Sequence, residues 1–351
     1  MKEIIELAKQ LISFKTVTGN HAEVARLFAY VESYLEHTGL KIRHYEREGF
    51  QNLVISSSSS KKSQFGLMGH VDVVPAEEEL FEAKIEDGKL IGRGAIDMKT
   101  QVAAMVVFMK HYGMQAPVTL FLTSDEETGG KNGARYLAEE EFSCEFFIAP
   151  DGGNNFELVT KEKGVLALKV MARGKAGHSS RPWEGKNAIE SLIEKLARLK
   201  LLFGEENEDK WVTTMSLNMI KGGKAMNQIP DEAEALLDIR YVDDAEIWKQ
   251  RVGEIAEFEV VKFGSIFNTN PDHPEVKRLA KLMSKFTGKH IKPTFESGAS
   301  DARHFAEKGM QGAIFNPNGG NYHAKREYVE LDSIQKFYDI LKEFLTEKLS
   351  V

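Results

Sequence analysis

The sequence predicts an α/β protein in which a discontinuous domain with a mostly parallel sheet carries an inserted α+β domain. Three observations predict it. Amphipathic helices alternate with short apolar strands through the first third of the chain, long alternating strands replace that rhythm after Asp151, and helix–strand alternation returns from Pro271. With 351 residues, 42% hydrophobic and 28% charged, the chain can build two domains with a sizeable core.

Taken in chain order, MKEIIELAKQLISF mixes charged and apolar residues at helical spacing, unlike the unbroken apolar core of a secretion signal. Residues 22–37 read as a second helix, QNLVIS and FGLMG as strands, and SSSSSKKS at 56–63 as a solvated turn between them. MKTQVAAMVVFMKHY reads as a helix, then VTLFLT and FFIAP as strands. Beyond Asp151, the strands GVLALKVMARG, WVTTMSLNMIKGG and EAEALLDIRYV surround the helix NAIESLIEKLARLKLLF, a unit of roughly a hundred residues. PDHPEVKRLAKLMSKFTG and SIQKFYDILKEFLTEKL close the chain as amphipathic helices. The expected division is 1–163 with 270–351 for the discontinuous domain and 164–269 for the insert.

The net charge of −7 comes from interspersed signs, which argues against nucleic acid or an anionic membrane as a partner. No stretch is long and apolar enough to span a bilayer, and the cytoplasm is the expected location. Cys144 is the sole cysteine, so no intramolecular disulfide is possible; its setting in SCEFFIA reads as a buried small side chain rather than a nucleophile.

The chemistry lies at element ends. His70 follows FGLMG, Glu127 follows VTLFLT, Asp151 follows FFIAP, Asp97 immediately precedes a helix, and His323 comes late in the chain. In open α/β sheets, ligands sit at the carboxyl ends of the strands, so residues distant in sequence can converge there. Imidazole with carboxylate suits zinc or a similar divalent ion. Two such ions carry four positive charges against three negative ones from Asp97, Glu127 and Asp151, and one hydroxide closes the balance. A shared carboxylate, most naturally Asp97, would hold them about 3.5–4 Å apart. Glu126 is then left over as a base, and Asp72 stands where it can hold the other nitrogen of His70. Singly, each has an ordinary alternative: a capping or core histidine, a solvated acidic loop, a turn residue at Asp72, a helix N-cap at Asp97.

GHVDVVP, GRGAIDMK, SDEETGG, the AGHSS segment, and His323 with Glu327 four residues on run in order over nearly the whole chain. This set resembles metallopeptidase family 20, zinc hydrolases that include carboxypeptidases, dipeptidases and deacylases of the acetylornithine deacetylase and succinyl-diaminopimelate desuccinylase types. The resemblance implies a zinc-peptidase-like catalytic domain with an inserted lid and dimerisation domain. It implies two Zn2+ ions, with Co2+ or Mn2+ as alternatives: one held by His70, Asp97 and Asp151, the other by Asp97, Glu127 and His323. Glu126 matches the general base that takes a proton from the metal-bridging water, and Asp72 the residue that orients His70. His178 in GKAGHSSRP matches a histidine that crosses from the partner subunit of a homodimer to the substrate carbonyl; its alternative is a polar loop residue. Asn227 and Arg240 match substrate contacts of the lid, although Arg240 could instead pair with Asp238. In SGASDARHF, Gly298, Ser300 and Asp301 match a substrate loop. Arg303 stands where a substrate carboxylate could be held or a helix capped, and Arg181 is a further candidate.

Two departures bear on substrate. The stretch PAEEELFEAKIEDGKL is acidic where many members carry an aromatic-rich loop, and keeps only Phe81; and position 151 is Asp where deacylase members usually have Glu. The expected activity is hydrolysis of a peptide bond in a small peptide. N-acyl-amino-acid deacylation is the alternative, and a catalytically silent dimeric binding protein the alternative from another class. A nicotinamide or nucleotide enzyme fails for want of a glycine fingerprint at the first strand-to-helix turn.

Overall fold

The computed structural model describes residues 1–204 and 211–347. The chain divides into two compact units. One comprises Met1–Lys161, Asn268–Glu296 and the described chain from Ser300 on; the other comprises Glu162–Phe267 with Ser297–Ala299. The tripeptide Ser297–Ala299 groups with the insert, which its position in the sequence did not suggest.

In the first unit, Val118–Thr123, Lys62–His70, Ser143–Ala149 and Gln311–Ile314 lie side by side and run parallel, with His70 opposite Thr123 and Gln311 opposite Phe146. Phe50–Ser56 and Lys41–Arg47 continue the sheet antiparallel beyond Val118–Thr123. Every residue of VTLFLT is buried, as expected of a strand covered on both faces. The helix Lys99–Tyr112 is buried along nearly its whole length and packs against Lys2–Ser13 and Leu331–Thr346. Asn20 caps the helix His21–Tyr34 by accepting the Glu23 N–H, and Pro274–Thr287 starts on Pro274 and stops at Gly288 with φ +71°. The last predicted helix spans Leu331–Thr346; Lys348 and Leu349 of its expected extent lie outside the described residues. A small antiparallel sheet of Lys84–Glu86, Lys89–Ile91, Tyr328–Glu330 and Gly319–Gly320 accounts for the acidic stretch, whose Phe81 is buried in the core.

The second unit is a four-stranded antiparallel sheet in the order Thr214–Gly222, Glu232–Tyr241, Gly164–Arg173, Glu257–Gly264, with helices Ala188–Lys200 and Ala245–Gly253. Burial alternates along its central strands, so Leu166, Leu168, Val170, Leu237 and Ile239 build a core of their own. The edge strand Thr214–Gly222 leaves Leu217, Met219 and Ile220 exposed.

Cys144 is buried, and burial first, then Glu145, pushes its thiol up to about 12. Among the described residues no helix is long and apolar enough to cross a membrane.

Candidate metal centre

Three adjacent parallel strands deliver the candidate ligands to one edge. His70 ends Lys62–His70, the turn with Glu126 and Glu127 follows Val118–Thr123, and Asp151 follows Ser143–Ala149. Asp97 comes from the turn before Lys99–Tyr112, and His323 from the loop between the strands Gly319–Gly320 and Tyr328–Glu330. The helix N-cap is Met98, so Asp97 is not the cap that its position allowed; its carboxylate faces two histidines instead. The Asp97–Met98 peptide is cis.

Asp97 Oδ1 lies 3.0 Å from His70 Nε2, and Oδ2 lies 3.1 Å from His323 Nε2. Glu127 Oε2 lies 3.3 Å from the same His323 nitrogen. Ligand atoms of His70, Asp97 and Asp151 are all within 4.8 Å of one another, as are those of Asp97, Glu127 and His323. Two triads therefore share one carboxylate, one oxygen to each side.

The donor set fits cations. His70 Nδ1 is 3.0 Å from the Asp72 carbonyl oxygen, which places the proton of a neutral ring on Nδ1 and turns the Nε2 lone pair toward Asp97. A lone pair and a carboxylate at 3.0 Å repel unless positive charge lies between them. The titration behaviour agrees. Burial opposes charge on His70, but Asp72 and Asp97 override it and hold the ring well above the usual histidine range. Hydrogen bonds to Asp97 and then Glu127 lift His323 to about 10. Burial raises Asp97, yet His323 and His70 outweigh it and hold the carboxyl far below its ordinary value. Glu126 is pushed well up, by burial first and then by Asp151 and Asp301. A cluster this acidic calls for positive charge, and His/Asp/Glu triads of this kind suit divalent zinc or its neighbours.

Two buried carboxylates fix the ligand-bearing turns from beneath. Asp72, fully buried, accepts the Glu126 and Glu127 N–H groups at 3.2 Å each and the Thr18 hydroxyl at 2.9 Å. It thus anchors the proposed base and a ligand as well as His70, whose Nδ1 lies 3.4 Å from Asp72 Oδ1. Glu327 does the same for the Asp97 turn, accepting the Ile96 and Asp97 N–H groups at 3.1 Å each. The 126–130 turn is also held at its far end, where the Gly129 carbonyl accepts from Arg303 at 2.9 Å and lies 3.0 Å from His304 Nε2. Gly130 has φ +67°, and a Cβ there would overlap the Asp301 carboxylate. A small cavity behind the ligands is lined by Met68, Met98, Phe121 and Ala149, with Glu126 and Asp301 among its polar groups.

The remaining predicted residues fall as follows. In the second unit, Gly177–His178 pairs with Gln228–Ile229, and the Ser179 N–H donates to the Asn227 carbonyl, which brings His178 and Asn227 together, both exposed. The Ser180 N–H donates to His178 Nδ1 at 3.2 Å, so the neutral ring carries its proton on Nε2. Arg240 makes a two-pronged contact with Asp238 at 2.9 and 3.2 Å, the alternative its sequence allowed. Arg181 reaches Glu184 at 3.4 Å, and Gly298 is exposed. In the first unit, the Ser300 hydroxyl accepts the Ala302 N–H, and Arg303, buried, directs its terminal nitrogens to the Ser300 and Gly129 carbonyls. Sequence reasoning missed Arg93, Thr18 and the second task of Asp72. A charged residue between glycines, as Arg93 is in GRGAID, was the one available signal.

The sequence profile of Peptidase family M20/M25/M40 matches residues 66–347, which takes in every member of both triads. The chain belongs to this family. It is accordingly a metal-dependent hydrolase of amide bonds. Among curated relatives, it is 28% identical over 366 residues to a succinyl-diaminopimelate desuccinylase of Wolinella succinogenes, covering 97% of this chain and 99% of the relative. It is 29% identical over 391 residues to the Rickettsia akari protein of the same name, covering 98% and 100%. Solved structures sharing the fold include a Staphylococcus aureus tripeptidase, with TM-score 0.81 and 22% identity over 100% of this chain and 99% of the other. A metallo-carboxypeptidase of Sulfolobus solfataricus superposes with TM-score 0.79 and 18% identity, covering 100% of both chains.

Proposed function

We propose that this hydrolase holds two divalent cations, Zn2+ by preference and Co2+ or Mn2+ as alternatives, and cleaves a peptide bond in a small peptide. The observation that carries the reading is the division of Asp97 between the two histidines, one oxygen to each triad. In it, His70, Asp97 and Asp151 hold one ion, and Asp97, Glu127 and His323 the other. Bound there, the ions would act as Lewis acids and lower the pKa of water.

The chain's own residues do the rest. Glu126, its N–H fixed on Asp72, takes a proton from the attacking water and passes it to the leaving nitrogen. Asp72 keeps the His70 tautomer that presents Nε2. His178 donates from Nε2 to the substrate carbonyl oxygen. Asn227 and Gly298, both exposed, and Arg240, paired with Asp238 but only part-buried, are the substrate contacts we retain; burial and the hydrogen bonds of Ser300 and Arg303 favour a bracing role for both.

The insert serves as lid and pairing domain. Among the described residues, an edge strand with exposed Leu217, Met219 and Ile220 offers backbone and apolar surface to a second copy, which supports a homodimer; in that dimer we assign His178 a role in trans, and we place the protein in the cytoplasm. Mixing Glu126→Ala and His178→Ala dimers should restore some activity after subunit exchange; verified exchange without recovery removes the trans role.

Glu126→Ala should abolish turnover while leaving metal uptake nearly intact, and wild-type turnover in that variant would overturn its role as base. Deacylation is the second reading, favoured by full-length relatives named as desuccinylases; Asp151 in place of Glu favours the peptidase. A panel of dipeptides against acetylated and succinylated amino acids separates them, and activity confined to the acyl compounds would reverse the order.

A further inference from the structure

The Arg93–Glu327 pair lies beneath the candidate metal centre, and neither residue belongs to its ligand set. Arg93 is 3% exposed and Glu327 0%. Glu327 uses both oxygens: Oε2 receives Arg93 at 2.5 Å, and Oε1 receives the Ile96 and Asp97 N–H groups at 3.1 Å. The second terminal nitrogen of Arg93 donates to the His323 carbonyl at 3.0 Å. One ion pair therefore grips the main chain of two candidate ligands 226 positions apart, Asp97 and His323.

The grip continues a register. Tyr328 pairs with Ile91, the Gly92 N–H donates to the Glu327 carbonyl, and the next rung is the Arg93–Glu327 side-chain pair. Past that rung the chain leaves the sheet, and His323 itself has φ +59°, a left-handed backbone uncommon outside glycine. Burying an ion pair costs desolvation that apolar side chains of the same volume avoid, so stability alone is a poor reason for one at this place. What the pair supplies is a fixed relation between the Asp97 turn and the His323 loop.

We propose that Arg93 and Glu327 are positioning residues that hold His323 in register with Asp97, and so set the affinity of the ion bound by Asp97, Glu127 and His323 in preference to the other. This rests on the proposed function for the identity of the ligands. Asp97 serves both ions, but only His323 depends on the Arg93 contact, so the effect is asymmetric.

The test is titration of chelator-stripped full-length protein with Zn2+, followed by calorimetry, alongside thermal melts without metal. Arg93→Lys keeps the charge opposite Glu327 and removes the fork to His323; Glu327→Gln keeps the shape and removes the ion pair. Arg93→Lys should bind one Zn2+ much as wild type and the other about 10–100-fold more weakly, the effect typical of residues that orient ligands. Glu327→Gln also loosens the Asp97 turn shared by both triads, so it should weaken binding of both ions, and of the His323 one more. If Glu327→Gln fails to fold, Arg93→Lys decides alone. In Arg93→Lys, two ions bound with wild-type affinity, both weakened equally, or a lower melting temperature with unchanged affinities would each overturn the inference while leaving the proposed function intact. A wild type that takes up no Zn2+ sinks both.

Discussion

Replacing Asp72 by Ala should damage the site more than the loss of one orienting side chain implies. Asp72 is fully buried and accepts from three donors: the Glu126 N–H, the Glu127 N–H and the Thr18 hydroxyl. A buried donor left unpaired costs roughly 1–3 kcal/mol, and these three are part-buried, so the Ala variant should lose about 3 kcal/mol of stability. Thr18→Ala removes only one of the three bonds and should cost about 1.5 kcal/mol, as for a single hydrogen bond to a charged group. Because the lost bonds anchor the base and a ligand, metal affinity or turnover of Asp72→Ala should also fall about 10–100-fold. Urea unfolding of chelator-stripped proteins gives the stabilities, and Zn2+ titration with peptide hydrolysis gives the rest. If Asp72→Ala unfolds at the wild-type midpoint, or is no less stable than Thr18→Ala, the carboxylate is not the shared anchor and the reasoning fails.

The two remaining predictions concern protons and Arg303. His323 rises from an ordinary 6.5 to about 10 through Asp97 and Glu127, and His70 is raised as well, so the folded chain binds these protons more tightly than the unfolded one. Their contribution is fully present below 6.5 and is lost as pH climbs through the folded values. Relative to His323→Ala, the metal-free wild type should therefore lose melting temperature between pH 6.5 and 10, against the opposite contribution of buried Lys99 that both proteins share, and excess Zn2+, which replaces those protons, should remove the difference in slope. Parallel metal-free profiles for wild type and His323→Ala over this range would contradict it. Arg303→Met should cost about 3 kcal/mol in thermal or urea unfolding through two lost bonds from a charged donor to the Ser300 and Gly129 carbonyls. A raised KM at unchanged stability would instead return Arg303 to substrate binding.

The parts of the fold legible in the sequence were those governed by local pattern. VTLFLT, with every residue buried, and Lys99–Tyr112, buried almost throughout, were readable as apolar runs bounded by turn residues. Because His70, Glu127 and Asp151 stand at strand ends, the strands alone placed them on one edge. Lys41–Arg47 escaped notice because an edge strand of charged residues carries little apolar signal, and the small sheet around Tyr328–Glu330 because its strands are two or three residues long. The braces were invisible for another reason. Arg93 and Glu327 are 234 positions apart, and Arg303 meets Gly129 across 174, so no periodicity connects them. Asp72 was read as a partner of His70 because the two are only two positions apart in sequence; its bonds to Glu126 and Glu127 needed the fold.

The shared carboxylate is most directly tested by loading the chelator-stripped protein with Mn2+ and recording metal content together with the electron paramagnetic resonance spectrum. Two ions bridged by Asp97 at the roughly 3.5–4 Å spacing of two-metal hydrolases should give two Mn2+ per chain with a spin-coupled signal, and Asp97→Asn should lose the coupling. A single Mn2+ at saturation, or two that remain magnetically independent in the wild type, would contradict the shared site.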